Sequence, residues 1–348
     1  MNNTPTKVTK LSRKEMKVDF EGKLGFWQRL KLKVLSPAFI GNLIYVIFRT
    51  VLLVGISYII LYPFLTKILA SFMSNTDFVD TTVKLIPKNA TLDQWKFIIL
   101  ENKYLLALFN TARISVLCAF LQTLMCAIVG YGFAKFKFKG RTILFLCVVV
   151  TMLIPHDTLL LAMFMKFRYF DIFGILGLFL ERPQLPNLIN TEIPLYLLSL
   201  TGLAFKNGLY IFMFRQFFMG VPDELEESAY IDGSGVFRTF FTIILPLSIP
   251  MMVTVFLFAF SWCWTDNFYT SGLMFFPDSN SAPYLLTTDI GGKIPSTLSD
   301  SNFAAATLYQ GAIRNTGGLM IILPLVIMYV FCQKSLVQGI ERSGLTAD

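Results

Sequence analysis

The chain has 348 residues, 55% of them hydrophobic and 15% charged, with a mean hydropathy of +0.62 and a formal net charge of +8. Soluble domains carry roughly 25% charge, so this composition cannot supply a water-facing surface, and the length does not translate into two soluble domains. The 35 phenylalanines exclude a disordered chain, and the five cysteines (Cys118, Cys126, Cys147, Cys263, Cys332) form no CxxC pair, so they read as packed free thiols rather than metal ligands or a disulfide framework. A polytopic membrane protein is the class that remains.

The first 33 residues hold nine Lys/Arg against Glu15, Asp19 and Glu21. No folded soluble body accompanies them to face a nucleic acid. Residues 1–42 therefore read as a basic cytoplasmic segment lying near anionic membrane lipid. The first apolar run begins after about 42 residues, too late for a cleavable signal peptide.

A helix needs about 20 apolar residues to cross the hydrocarbon. Six stretches qualify: 45–66, 106–134, 142–165, 194–218, 245–267 and 317–335. The expected fold class is all-α, a polytopic membrane protein with six transmembrane helices over 43–340 and a short cytoplasmic tail over 341–348. With the N-terminus cytoplasmic, the inside segments carry 17 Lys/Arg in 97 residues and the outside segments 11 in 121. The short loop Lys135–Arg141 contributes four of them, so both termini are expected in the cytoplasm.

Several ionisable groups interrupt these spans. Arg113 and Arg215 lie near span ends, where they can snorkel to the headgroups. Lys206 lies mid-span, where a lysine costs about 2.5–3.5 kcal/mol on insertion scales. It must face the bundle interior, a water-filled path or a break at Gly208, and a structural and a transport role both stand. His156 and Asp157 follow Pro155 in the third span; a kinked, hydrated polar pair and a path-lining role are both open. Met163 and Met165 read as packing.

The most informative segment runs from Pro222 to Pro246. Pro222 suits a first helical turn, where its missing N–H costs nothing. Asp223, Glu224, Glu226 and Glu227 follow, where the helix dipole favours negative charge. Leu225 and Ala229 share a face. Gly233 and Gly235 are expected to end the helix in the left-handed conformation, and Val236, Phe237, Phe240 and Phe241 restart an apolar face leading into the fifth span. The expected object is a short helix, a glycine break and a second short helix on the cytoplasmic surface, within a loop over 220–246.

This segment resembles the EAA loop of binding-protein-dependent ABC importer permeases: Glu-Ala-Ala, three residues, Gly, nine residues, Ile-x-Leu-Pro. Here Glu227-Ser228-Ala229 is followed by three residues, Gly233, nine residues and Ile243-Ile244-Leu245-Pro246, with Ser228 in place of the first alanine. Gly132–Arg141, Arg215-Gln-Phe-Phe218, Leu85–Thr91 and Gln333-Lys334 with Val337 and Gly339 are similar to carbohydrate-importer permeases, the maltose-permease-like second subunit and its lipoprotein- and polysaccharide-type branch above all. Two positions depart from that pattern: the usual Trp-Asn pair after the fifth span reads Trp264-Thr265, and the tail Ser-Gly-Leu-Thr-Ala-Asp lacks the usual basic finish.

The resemblance implies a type I importer permease in a prokaryotic cytoplasmic membrane, moving an oligosaccharide or related carbohydrate. Its implied partners are a second permease subunit forming a heterodimer, two ATPase subunits and an extracellular or periplasmic solute-binding protein. Nucleic acid is not among them. Glu227, Ser228, Ala229, Asp232, Gly233, Leu245 and Pro246 are the implied ATPase-coupling residues, with Glu227 and Asp232 for polar contacts and Gly233 for the bend. No cofactor or metal is expected on this chain, and no catalytic residue. It lacks G-x-x-x-x-G-K-[ST], HExxH and G-x-S-x-G, so ATP is used by the partner ATPase.

Sugars stack on aromatic faces and meet Asn, Asp, Gln or Arg with their hydroxyls. Trp262, Trp264, Asp266, Asn267 and Tyr269 offer that mix at the outer half of the fifth span, and they equally fit an interfacial aromatic belt. With His156, Asp157 and Lys206 they form the candidate substrate path. A gradient-driven secondary transporter or channel, using Lys206, Asp157 and His156 as coupling charges, is the alternative. Residues 40–190 and 191–340 show no internal repeat of the kind that class often carries, and the 222–246 loop would be left unexplained. A non-transporting scaffold would not need intramembrane ionisable groups.

Overall fold

The computed structural model describes residues 37–172, 174–204, 206–270, 284–290 and 303–344, and its regular elements are helical apart from one isolated antiparallel bridge between Met73 and Ala90. The expected basic segment lies outside the described residues up to position 36, as does the tail from 345.

The first helix, α1 (Pro37–Ala70), starts eight residues before the expected span. Through Thr66 it belongs to a unit of its own, while Lys67 onward forms the second. Its apolar side chains point outward all round, with Val51 66%, Ile59 72% and Phe48 63% exposed. A helix with no polar face and no buried face is a membrane helix.

The second unit is organised on α2 (Tyr104–Lys135). Ala107, Thr111, Ser115, Ala119, Thr123 and Ala127 recur every four residues, and all are buried. In a bilayer, where lipid tails are as apolar as leucine, such a seam of small residues lets helices approach closely enough for packing to hold them together. Helices α5 (Ile193–Leu200), α6 (Asn207–Met219) and α9 (Ile249–Trp264) pack on α2, and α10 (Phe303–Gly344) packs on α9. At Gly130 the approach to α6 is so close that a Cβ would stand 2.6 Å from the Phe214 Cβ and 3.1 Å from the Arg215 backbone nitrogen.

Polar contacts tie the bundle together. Tyr104 donates to the Met320 carbonyl at 3.0 Å and the Trp264 indole to the Ile321 carbonyl at 2.9 Å. Buried Gln94 donates to the Ala70 and Met73 carbonyls and accepts from Thr316 at 2.7 Å. With no water in the hydrocarbon, these groups must find partners within the protein.

Spans three and four differ from expectation. The third is split into α3 (Arg141–Thr151) and α4 (Leu160–Arg168) by a turn and a short 3-10 segment, His156–Leu159. Pro155 explains the break: it has no N–H to donate and disfavours a helical Ile154. The fourth is split between α5 and α6, the break running through Gly202 (φ +72°) to Lys206, which precedes α6. By length and composition, three described stretches are long and apolar enough to cross a membrane: Gly41–Ala70, Tyr104–Lys135 and Thr307–Lys334. The pair Val236–Leu247 and Ile249–Trp264, bent by 78° at Ser248, passes the same test only when the two helices are taken together as one span. Pro250 removes one of the N–H groups that would carry the helix across the bend. Broken helices at membrane depth are tolerated where they line a cavity.

Candidate functional site

Two regions stand out: the loop between α6 and α9, and a cavity bounded by α2, α5, α6 and the turn after α9.

The loop begins with α7 (Glu224–Ile231), whose N-cap is Asp223. The helix ends as a Schellman motif: Ser234 N–H donates to the Ala229 carbonyl at 2.9 Å and Gly233 N–H to the Tyr230 carbonyl at 3.0 Å. This closure needs a left-handed residue, and Gly233 has φ +82°. Gly235 departs from expectation, since its φ of −79° and ψ of 163° make it extended. The second helix, α8 (Val236–Thr239), runs into a π turn over Phe240–Ile244 and then through Leu245–Leu247 to the 78° bend into α9.

The loop is pinned to the end of α2. Lys135 Nζ donates to the Val221 carbonyl at 2.6 Å and to the Asp223 carboxylate at 2.5 Å, and lies 3.7 Å from the Glu226 carboxylate. Glu226 also accepts from the Tyr131 hydroxyl at 3.2 Å. Phe218 and Phe240 pack on the Tyr131 ring, with centroids 5.6 and 4.8 Å away. The Lys135 hydrogen bond holds the Asp223 carboxyl below its ordinary range.

Glu226 and Ala229 form the buried face of α7, whereas Leu225, expected to share that face with Ala229, is 40% exposed. Glu227, Ser228 and Asp232 are exposed, Leu245 is half-buried and Pro246 exposed. Beside Gly233, Ile231 is 86% exposed and Phe237 79%. Of the apolar face expected over 236–241, Phe240 is buried while Val236, Phe237 and Phe241 face outward. Sequence reasoning missed Lys135, Tyr131 and Glu226 as one cluster. Its signal was a lysine at the end of one span and an acidic run after another, which only the packing of α2 beside α6 joins.

The cavity encloses about 230 Å³. Lys206, Trp262, Asp266, Asn267 and Tyr269 line it, together with Gln122, Ser199 and Tyr210. The helix α9 ends at Trp264, so Asp266, Asn267 and Tyr269 sit in the following turn rather than in the span. Lys206 Nζ lies 4.5 Å from the Trp262 ring centroid. The Asp266 carboxylate accepts from the backbone N–H groups of Tyr269 (3.3 Å) and Thr270 (3.0 Å), closing that turn. Gln122 bridges α5 and α9 by donating to Ser199 Oγ and Cys263 Sγ, both at 3.3 Å. Trp264 is elsewhere: it is 3% exposed and its indole is committed to Ile321.

A larger cavity of about 940 Å³ lies among α3, α4, α5 and α6, and shares Leu198, Ala204, Lys206 and Tyr269 with the first. Leu159, at the end of the His156–Leu159 turn, lines it; the side chains of His156 and Asp157 lie outside the described residues. The two arginines expected to snorkel have partners inside the protein. Arg113 pairs with Glu192, and the Arg215 guanidinium stands 4.2 Å from the Phe145 ring centroid.

Residues 122–341 match the family described as the binding-protein-dependent transport system inner membrane component, and this stretch contains the loop and most of the residues that line the cavity. The chain belongs to that family. It is an all-α, multi-pass permease of the inner membrane and a transport component rather than an enzyme. The chain is 28% identical over 317 residues to the galactooligosaccharides transport system permease protein GanQ of Bacillus subtilis (strain 168), covering 89% of this chain and 99% of that one. It is also 28% identical over 293 residues to the arabinooligosaccharides transport system permease protein AraQ of Halalkalibacterium halodurans, covering 83% and 92%. The maltodextrin transport system permease protein MalD of Streptococcus pneumoniae is 27% identical over 295 residues, covering 84% and 92%. In fold the chain is similar to one in the crystal structure of a bacterial ABC transporter involved in the import of the acidic polysaccharide alginate, with a TM-score of 0.64 at 20% identity, covering 84% of this chain and 97% of that one.

Proposed function

We propose that this chain is the permease subunit of an ATP-driven importer that carries an oligosaccharide or related carbohydrate inward across the cytoplasmic membrane. The observation that carries the reading is the family match over 122–341, which spans the pinned helix–glycine–helix loop. The relatives named for galacto-oligosaccharides, arabino-oligosaccharides and maltodextrin support a saccharide substrate.

The partners are a second permease, two ATPase subunits that use the ATP, and a solute-binding protein. The loop over 220–246 couples to an ATPase: Ile231 and Phe237 enter an apolar cleft, while Glu227 and Asp232 make polar contacts at its rim. Pinning by Lys135 makes the loop a lever. A displacement of α7 is transmitted through Val221 and Asp223 to the end of α2, and so to the helices around the cavity. Coupling of this kind requires different contacts in the two states, and a loop that moved independently of α2 could not transmit it.

Six spans, with the third and fourth broken around the cavity, and cytoplasmic termini complete the topology. The basic segment 1–42, the permease domain 43–340 and the tail 341–348 are its parts, although α10 continues to Gly344. His156, Asp157, Lys206, Trp262, Asp266, Asn267 and Tyr269 belong to the substrate path. The test is to purify the tagged chain in mild detergent from its native membrane, identify what accompanies it and reconstitute the assembly. ATP-dependent saccharide uptake with a co-purifying P-loop ATPase is expected. A chain that comes through alone and moves solute on an ion gradient contradicts the proposal.

A further inference from the structure

Four charged residues line the two adjoining cavities: Lys166, Asp171, Lys206 and Asp266. Both carboxylates are already bound by backbone amides. Asp266 accepts from Tyr269 and Thr270, and Asp171 accepts from Leu176 (2.8 Å) and Gly177 (3.0 Å). Lys166 donates to the Asp171 carbonyl at 3.1 Å. Lys206 is different. Its ammonium lies over the Trp262 ring, and among the described residues no carboxylate stands within 4.0 Å of it.

An ammonium in an apolar bundle is costly unless a partner or water offsets its charge. The face of one indole offsets it only in part. Lys206 lines both cavities from the break between α5 and α6. Tyr210 lines the same cavity, and its buried hydroxyl has no hydrogen-bond partner among the described residues. Trp262 is 52% exposed. The wall of the smaller cavity thus brings the Lys206 ammonium, the Tyr210 hydroxyl and the Trp262 ring together, with the Asp266 carboxylate in the same wall held by backbone amides.

We propose that the carried saccharide bears a carboxylate, an acidic uronate-type sugar, and that Lys206 is the residue that binds that group. This rests on the import reading above and narrows its substrate. The carboxylate takes the ammonium's hydrogen bonds, Trp262 holds the lysine in place and flanks the sugar ring, and Tyr210 meets a hydroxyl. A neutral saccharide of the same size would leave the ammonium without a counter-charge and gain nothing from it.

The test uses the intact importer, purified with its partner subunits and placed in proteoliposomes. ATP-dependent uptake is measured for a panel of uronic trisaccharides and for their carboxyl-reduced counterparts. Lys206→Met is expected to lower uptake of the acidic members at least about tenfold, the scale of one lost hydrogen bond to a charged group. Lys206→Arg keeps that uptake, and Lys206→Met lowers uptake of the reduced members by a clearly smaller factor than that of the acidic ones. The proposal is overturned if Lys206→Met carries the acidic sugars as well as the parent does, if it slows both classes alike, or if the parent carries only the reduced forms. In each of those cases saccharide import itself stands. Absence of ATP-dependent uptake for both classes, with uptake of galacto-, arabino- or malto-oligosaccharides present, overturns this proposal alone, and absence of uptake for every saccharide tried removes the import reading as well.

Discussion

Lys135, the last residue of α2, donates across 2.5 Å to the carboxylate of Asp223, the N-cap of α7, although 88 residues separate them in the chain. The same ammonium reaches Val221 and lies near buried Glu226. A helix spanning the membrane and a surface loop are thereby joined at one side chain.

Removing that side chain leaves Glu226 buried with Tyr131 as its one remaining partner among those described. Breaking a buried pair from one side costs up to about 3–5 kcal/mol, whereas removing both charges costs much less. Lys135→Met is therefore expected to lower thermal stability and ATP-driven uptake together, and the double variant Lys135→Met/Glu226→Gln to recover part of the stability. A double-mutant cycle on the melting midpoint measures the coupling. Additive effects would place the two residues in independent roles.

Gly233 carries a positive φ and donates the N–H that closes α7. Gly233→Ala should cost about 1 kcal/mol, the usual penalty of a left-handed Cβ. Gly233→Pro is incompatible with both the angle and the hydrogen bond. The expected readout is a membrane-inserted chain that retains most uptake as the alanine variant and loses it as the proline variant. Equal uptake by both would show that the turn does not matter for transport.

Ile231 and Phe237 are 86% and 79% exposed beside that turn. Replacing both with Asp should leave the melting midpoint of the isolated chain within about 0.5 kcal/mol of the parent, as surface changes do. The same change should abolish co-purification of the ATPase. An ATPase that still follows the double variant argues against an apolar cleft at this tip.

Gly130 and Gly132 offer a matched pair on α2. A Cβ at 130 meets Phe214 and backbone atoms of α6, whereas nothing lies within 4 Å of a Cβ at 132. Gly130→Ala should destabilise by about 1–3 kcal/mol, the range for overpacking, and Gly132→Ala should not. Thermal denaturation in detergent checks both.

The depressed Asp223 pKa has a sign that can be worked through. A carboxyl lowered in the folded state contributes fully above the ordinary aspartate value of about 3.9 and loses its contribution as pH falls through the lowered value. Hydrogen-exchange protection of the 221–235 amides, corrected for intrinsic rates, should stay level from about pH 8 to about pH 5 and fall only under stronger acid. A decline already near neutrality would mean that another group controls the loop.

Much of this protein was legible in one dimension. Runs of apolar residues long enough for hydrocarbon mark spans whatever surrounds them, so α1, α2 and α10 were visible in advance. The loop was visible too, because Pro222, the acids after it and Gly233 act on the backbone within a few residues of themselves. The breaks in spans three and four were half visible: Pro155 was noted, but hydropathy averages over a turn and cannot tell a broken helix from a straight one. The substrate-path residues divided for a similar reason. Adjacent positions on a helix face different ways, so Trp262 lines the cavity while Trp264, two residues on, is buried against α10.

The sequence by itself therefore determined the class, the apolar segments and the shape of the loop, since each arises from local chemistry: transfer to hydrocarbon, proline geometry, glycine at a positive φ. Only the tertiary structure decided which side chains meet. The seam of small residues on α2 brings α6 close enough for Lys135 to reach Asp223 and Glu226, and the breaks after Thr151 and Leu200 border a cavity with Lys206 at its wall. Those pairings depend on helix rotation and close approach, which are properties of packed surfaces and are not written in any single segment.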